Sequence, residues 1–110
     1  MGRKEAIKEY KTRKVARGVF AVRCAATGHV WVDSSGNLDA AQNSVWFFLR
    51  HRYHQNKSLQ AEWDAHGKEA FSYEVLEKLD EDVSAVGVSD LLREKKLHWV
   101  AQLGAQSLSP

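Results

Sequence analysis

The sequence predicts an α+β domain: a small three-stranded antiparallel sheet covered by helices. Three observations carry that expectation. Residues 18–32 hold two runs rich in β-branched and aromatic side chains, separated by a small-residue turn. Residues 71–79 form a third run whose first half alternates apolar and polar, as a half-buried strand does. Around these runs, apolar residues recur at spacings of three and four, the mark of helices laying one face on a core.

Residues 3–14 are good helix formers with few apolar positions (Ala6, Ile7, Tyr10), so residues 1–16 read as a basic, loosely docked helix or arm. Gly18–Cys24 is the first strand, Ala25-Ala26-Thr27-Gly28 the turn, and His29–Val32 the second strand. Asp33-Ser34-Ser35-Gly36 then reads as a break, because these side chains bond their own backbone, and it leaves Asn37 as a helix cap. Leu38 to about Tyr53 has an apolar face through Leu38, Ala41, Val45, Phe48 and Leu49; Trp46 and Phe47 fall partly off it. Ser58–His66 is a second helix with Gly67 as its stop. Phe71–Leu79 is the third strand. Ser89 or Asp90 should cap a last helix running to about Leu103, with Leu92, Lys96, Trp99 and Leu103 on one stripe. The domain is expected over residues 17–105, with 106–110 a frayed end.

A chain of 110 residues can bury one modest core. Its net charge of +2 is small but uneven. Residues 1–17 carry seven basic and two acidic residues, a surplus of +5, whereas the rest carries nine basic and twelve acidic, or −3. A basic arm on a mildly acidic body is a phosphate-seeking pattern, and it is also the pattern of a solvated helix. The lone Cys24 excludes an internal disulfide and fits a reducing compartment. No run approaches a membrane span and residues 1–15 hold no apolar signal core, so a cytoplasmic location and no membrane partner are expected.

The order Gly18-Val19-Phe20, turn, Trp31-Val32-Asp33-Ser34-Ser35, Asn37-Leu38 resembles the signature of the GIY-YIG endonuclease domain. There a strand bearing Gly-Ile-Tyr is followed by one reading Tyr-Ile-Gly-Ser-Thr, then Asp/Asn-Leu and a helix. Asn56-Lys57-Ser58-Leu59-Gln60, Trp63, His66-Gly67, Phe71 and Val75-Leu76-Glu77 resemble the phage homing-endonuclease branch of that family in the same order. The resemblance spans roughly residues 18–104 and implies the same small sheet covered by helices.

It also implies a site. In active members the first-motif Tyr assists as general base and the second-motif Tyr positions water or substrate. An Arg of the first long helix stabilises phosphate charge, and a Glu of the last helix holds a divalent cation. The matching positions here are Phe20, Trp31, Ala41 and Lys96, each without the functional atom: no phenol, no guanidinium, and a cation in place of the metal ligand. Asp33 is a new carboxylate nearby. As a strand-end or turn residue it is structural; the sharper alternative is an Asp33–Lys96 ion pair filling the vacated metal site. Lys96 on an apolar stripe is also accounted for by a stem that covers apolar surface while its amine reaches water.

No catalytic set and no cofactor is therefore expected, with Mg or Mn only if Asp33, Glu94 or histidines rebuild the site. His51 and His54, at i and i+3, read as solvent-exposed histidines; as a two-ligand edge for Zn they lack a cysteine pair and a spaced third ligand. The foremost reading is a domain that has lost endonuclease activity and keeps a role in nucleic-acid binding or regulation. DNA or RNA contacts would come from Lys8, Lys11, Arg13, Lys14, Arg17, Arg50, Arg52 and Lys57, with aromatics near the latter three to stack on bases. The alternatives are a protein-interaction or homodimerisation module anchored on Trp46 and Phe47, and a metal-dependent endonuclease with a rebuilt site.

Overall fold

The fold is built on strand β1 (Gly18–Cys24), which is buried on both faces and pairs antiparallel with β2 (Val30–Ser35) and β3 (Phe71–Lys78). The structure, a computed structural model, describes residues 15–80, 83, 84 and 86–109. The expected N-terminal helix lies outside them. Helices α1 (Leu38–Arg50), α2 (Lys57–His66) and α3 (Val88–Leu103) follow the strands in the order β1, β2, α1, α2, β3, α3, with a 3-10 turn over Lys68–Ala70.

Because neighbouring strand residues point to opposite faces, β1 feeds two cores. Phe20, Val22 and Cys24, with Trp31 of β2, pack against Leu38, Val45 and Leu49 of α1 and Leu59 of α2. Val19, Ala21 and Val32 point the other way, against Trp99, Val100 and Leu103 of α3. The sheet is thus the middle of three layers, which explains why β1 reads as a continuous apolar run.

Two parts of the sheet differ from the sequence-based expectation. Asp33, Ser34 and Ser35 continue β2 instead of breaking it. Phe20, Val19 and Gly18 of β1 pair with them in register, so ladder hydrogen bonding overrides the turn preference of short polar side chains. The sheet also has four strands and is mixed, with the order β3-β1-β2-β4. Where a frayed end is expected, Gln106–Ser107 forms β4, parallel to Trp31 and Val32. Leu108 is buried, and its N–H donates to the Val32 carbonyl at 2.9 Å. A two-residue strand held by one buried leucine leaves no periodicity in the sequence.

Gly18 is required by close approach: a Cβ there would lie 1.9 Å from the Glu77 carbonyl oxygen. The β1–β3 register also shifts between Val19 and Phe20, a local irregularity beside the candidate site.

The helix boundaries follow their caps. Asn37 Oδ1 accepts from the Ala40 N–H at 3.0 Å, as expected, and α1 ends at Arg50, three residues early, where Arg52 takes a left-handed φ of 62°. Asn56 caps α2 by accepting from the Leu59 N–H at 3.0 Å, and Gly67, with φ 81°, ends it. Helix α3 starts at Val88 after Gly87 with no side-chain cap, so Ser89 and Asp90 lie inside its first turn. The Gly87 N–H donates to the Ser84 carbonyl, a turn that launches the helix before either residue is reached.

Candidate functional site

Beside the irregularity in β1, a cavity of about 210 Å³ opens between the sheet and α1. Phe20 and Asp33 reach it from paired positions on β1 and β2; Ala41, Ser44, Val45 and Phe48 come from α1. His54 and Gln55 come from the link between α1 and α2, and Leu108 follows β4.

Phe20 is buried and stacks on Tyr73 of β3, with ring centroids 4.9 Å apart. The Tyr73 hydroxyl is no replacement for the phenol that Phe20 lacks. It instead donates to the Leu38 carbonyl at 2.8 Å, and burial, aided by the charge of Asp39, pushes its pKa up to about 12. Such a phenol stays protonated and cannot accept a proton from water at neutral pH.

Asp33 carries the charge of the cavity. Its Oδ1 accepts from the Ser34 N–H at 2.8 Å and lies 3.4 Å from Lys96 Nζ. Lys96 comes from α3 and also donates to Ser109 Oγ at 3.1 Å, just beyond β4. Both side chains of the pair are largely enclosed, at 15% and 19% exposure, so solvent screens the pair only in part. The ion pair weighed as the sharper alternative is therefore present; Asp33 lies toward the end of β2, as the strand-end reading has it, and not in a turn.

His54 also feels Asp33. Burial holds the imidazole below its usual pKa, and the carboxylate charge opposes that shift only in part. Its Nδ1 accepts from the Asn56 N–H at 3.0 Å, which places the proton of the neutral ring on Nε2. In that state neither ring nitrogen offers a free lone pair to water. The histidine is fixed by Gln60, a buried amide whose Oε1 accepts from the His54 N–H and whose Nε2 donates to the Leu49 carbonyl, each at 3.1 Å. The sequence reads His54, like His51, as solvent-exposed; His51 is, but His54 is half-buried. The structure parts the two, since His51 lies on Phe47 at 4.5 Å.

The remaining sequence-derived positions fall as follows. Trp31 is fully buried beside Phe71 and does not line the cavity; its indole N–H finds no acceptor among the described residues. Ala41 lines the cavity with a methyl group. Glu94 is exposed on α3, and no described His, Cys, Asp or Glu residues cluster to hold a metal ion. The residues present do not fit a divalent cation: the one carboxylate on the cavity wall already has a cation 3.4 Å away. Lys8, Lys11, Arg13 and Lys14 lie outside the described residues. Arg17 is taken up by the loop after β3, donating to the Asp80 and Val83 carbonyls at 3.3 Å. Arg50, Arg52 and Lys57 are exposed, and Arg52 reaches Asp64 only at 3.9 Å. Trp46 turns inward to Trp63 and Tyr73, while Phe47 and Phe48 stay 48% and 43% exposed.

Among solved structures, this arrangement is similar to the catalytic domain of homing endonuclease I-TevI, with a TM-score of 0.71. That match has 19% identity over 86% of this chain and 99% of the other. A point mutant of the intron endonuclease I-TevI catalytic domain gives 0.69 at 20% identity, over 82% and 86%. The chain has a GIY-YIG-like fold. No protein-family model and no curated protein matches it. Within the GIY-YIG-like fold, the cavity gathers Phe20, Ala41 and, through Asp33, Lys96, and leaves Trp31 to the core. No helix among the described residues is long and apolar enough to cross a membrane.

Proposed function

We propose that this chain is a nuclease-like domain that has lost hydrolysis and binds nucleic acid or regulates a nucleic-acid process. The observation that carries the reading is the Asp33–Lys96 pair, 3.4 Å apart on a cavity walled by Phe20 and Ala41. Hydrolysis of a phosphodiester by the family's route needs a proton acceptor for water, a cation for the transition state and a carboxylate-held metal. Phe20 has no hydroxyl, Tyr73 keeps its proton, and Lys96 neutralises the carboxylate. A rebuilt metal site using Asp33, Glu94 or His54 lacks support for the same reasons.

Binding would rest on Lys8, Lys11, Arg13 and Lys14 together with exposed Arg50, Arg52 and Lys57. Arg17 is the weakest of these candidates, since its guanidinium already holds two carbonyls. A second reading, a protein-interaction or homodimer surface, is favoured by the half-exposed Phe47–Phe48 pair.

Fluorescence anisotropy with labelled single- and double-stranded DNA and RNA at several salt concentrations tests the proposal. The same mixtures, with Mg²⁺ and Mn²⁺, go onto a denaturing gel. Expected are intact strands and affinity that falls with salt by roughly one power of concentration per phosphate neutralised. Neutralising Lys8, Lys11, Arg13 and Lys14 to Gln should flatten that dependence. Absence of binding at low salt would move the weight to a protein partner, and metal-dependent cleavage would overturn the loss of hydrolysis.

A further inference from the structure

A second pocket, of about 380 Å³, lies on the other side of α1 from the Asp33 cavity, between α1, α2 and the start of β3. Its wall is three aromatic rings, Trp46, Trp63 and Phe71, with Trp63 in the middle: Trp46–Trp63 centroids are 5.7 Å apart and Trp63–Phe71 5.3 Å. Its rim is Arg50, Lys68 and Glu69. Neither cation makes an ion pair or hydrogen bond with any described residue, and both are exposed.

We propose that this pocket takes one unpaired nucleotide of a single strand, and this rests on the nucleic-acid reading above. The base stacks on the Trp46, Trp63 and Phe71 wall, where an indole face offers flat apolar contact to any base. The attached phosphodiester, a monoanion, meets Arg50 and Lys68, whose two charges exceed the one charge of Glu69. Glu69 offers an acceptor to the N–H groups of the base edge. The volume lies within the range of small-ligand sites, and the wall is built before any ligand arrives because the three rings brace each other. A purely aliphatic partner would leave both cations unanswered, and an acidic peptide would leave the flat wall unused. A nucleotide answers both features. A paired base cannot enter, since its face is already stacked, so the pocket selects single strands over duplex.

Tryptophan fluorescence of the full chain tests this directly. It is titrated at low salt with a single-stranded twelve-nucleotide DNA, a blunt-ended duplex of the same sequence and free deoxyadenosine monophosphate. The single strand should quench the emission and bind at least several-fold more tightly than the duplex, with the mononucleotide far weaker. Lys68→Gln, an exposed change that leaves the fold intact, should weaken single-strand binding several-fold; Trp63→Leu should weaken it about tenfold or more. Duplex binding should change less than twofold in both variants. Equal affinity for strand and duplex without quenching, or no response to Lys68→Gln, overturns the pocket while the broader nucleic-acid reading stands. Absence of binding to strand and duplex alike overturns that reading itself. Tight binding of the mononucleotide alone overturns the pocket as a strand site and makes it a small-molecule site.

Discussion

The Asp33–Lys96 pair should be worth measurable free energy, and a double-mutant cycle can isolate it. At an effective dielectric of about 20, opposite charges 3.4 Å apart attract by roughly 5 kcal/mol. Most of that is offset by the desolvation of two side chains that are only 15% and 19% exposed. A net coupling of about 1–2 kcal/mol remains. Lys96→Met leaves the Asp33 carboxylate accepting from the Ser34 N–H and should cost about 2 kcal/mol; Asp33→Asn leaves Lys96 with Ser109 and should cost about 1 kcal/mol. The double variant should cost less than the two together by the coupling energy. Urea unfolding followed by far-UV circular dichroism reads all four corners. Added salt should trim the coupling only modestly, because the pair is partly enclosed. Strict additivity, to within about 0.3 kcal/mol, would refute a favourable coupling between the two charges. Lys96→Glu extends the test. It sets two carboxylates face to face, so the variant should be less stable than wild type and should regain stability on adding Mn²⁺, whereas wild type should not respond.

Other expectations follow from the same geometry. Gly18→Ala drives a Cβ into the Glu77 carbonyl at 1.9 Å and should cost about 3 kcal/mol or more, while Gly36→Ala, with nothing within 4 Å, should be close to neutral in thermal melts. Gln60→Leu strands the His54 N–H, while the Leu49 carbonyl keeps the Arg52 N–H, and should cost about 1–3 kcal/mol in urea unfolding. Tyr73 binds its proton more tightly folded than unfolded, so above pH 10 the unfolded chain releases that proton while the folded one keeps it to about 12. Stability should therefore fall across that window by roughly 1–2 kcal/mol, and Tyr73→Phe should remove that part of the slope.

What was legible in the sequence was local. Gly18–Cys24 reads as a strand from its β-branched and aromatic side chains, which suit a segment with six of its seven residues buried, and Asn37 and Gly67 read as caps because their chemistry serves a helix end without help from elsewhere. Asp33 to Ser35 misread as a break because their strand state is imposed by β1 across the ladder, which no local preference reports. The Asp33–Lys96 contact joins positions 63 residues apart, and only the resemblance brought them to one place. His54 reads as a solvent-exposed histidine beside His51 but is half-buried, since its partners, Asn56 through the ring and Gln60 through the backbone, emerge only when α1 ends early and the chain turns back. The role of Leu108 as a wall of the cavity was hidden for a similar reason: Asn56 Nδ2 donates to its carbonyl at 2.9 Å, a contact across half the chain.

The two cavities are joined by rings. Phe20 stacks on Tyr73, Tyr73 meets Trp46 edge-on, Trp46 lies on Trp63, Trp63 on Phe71, and Phe71 tilts toward Trp31. A phenol at position 20 or 31 would bring a hydroxyl that, in so dry a place, needs a partner or a water. Phenylalanine at 20 removes that demand and leaves the face of the ring for packing. The indole of Trp31 contributes more apolar area, at the cost of an N–H without an acceptor among the described residues. Tyr73 keeps its hydroxyl because the Leu38 carbonyl receives it. The ring without a hydroxyl at position 20 thus serves the first cavity as packing surface and starts an aromatic stack that ends at the wall of the second. A phenol placed at position 20 alone would bring neither a metal ligand nor a free carboxylate, because Asp33 would still face Lys96 at 3.4 Å.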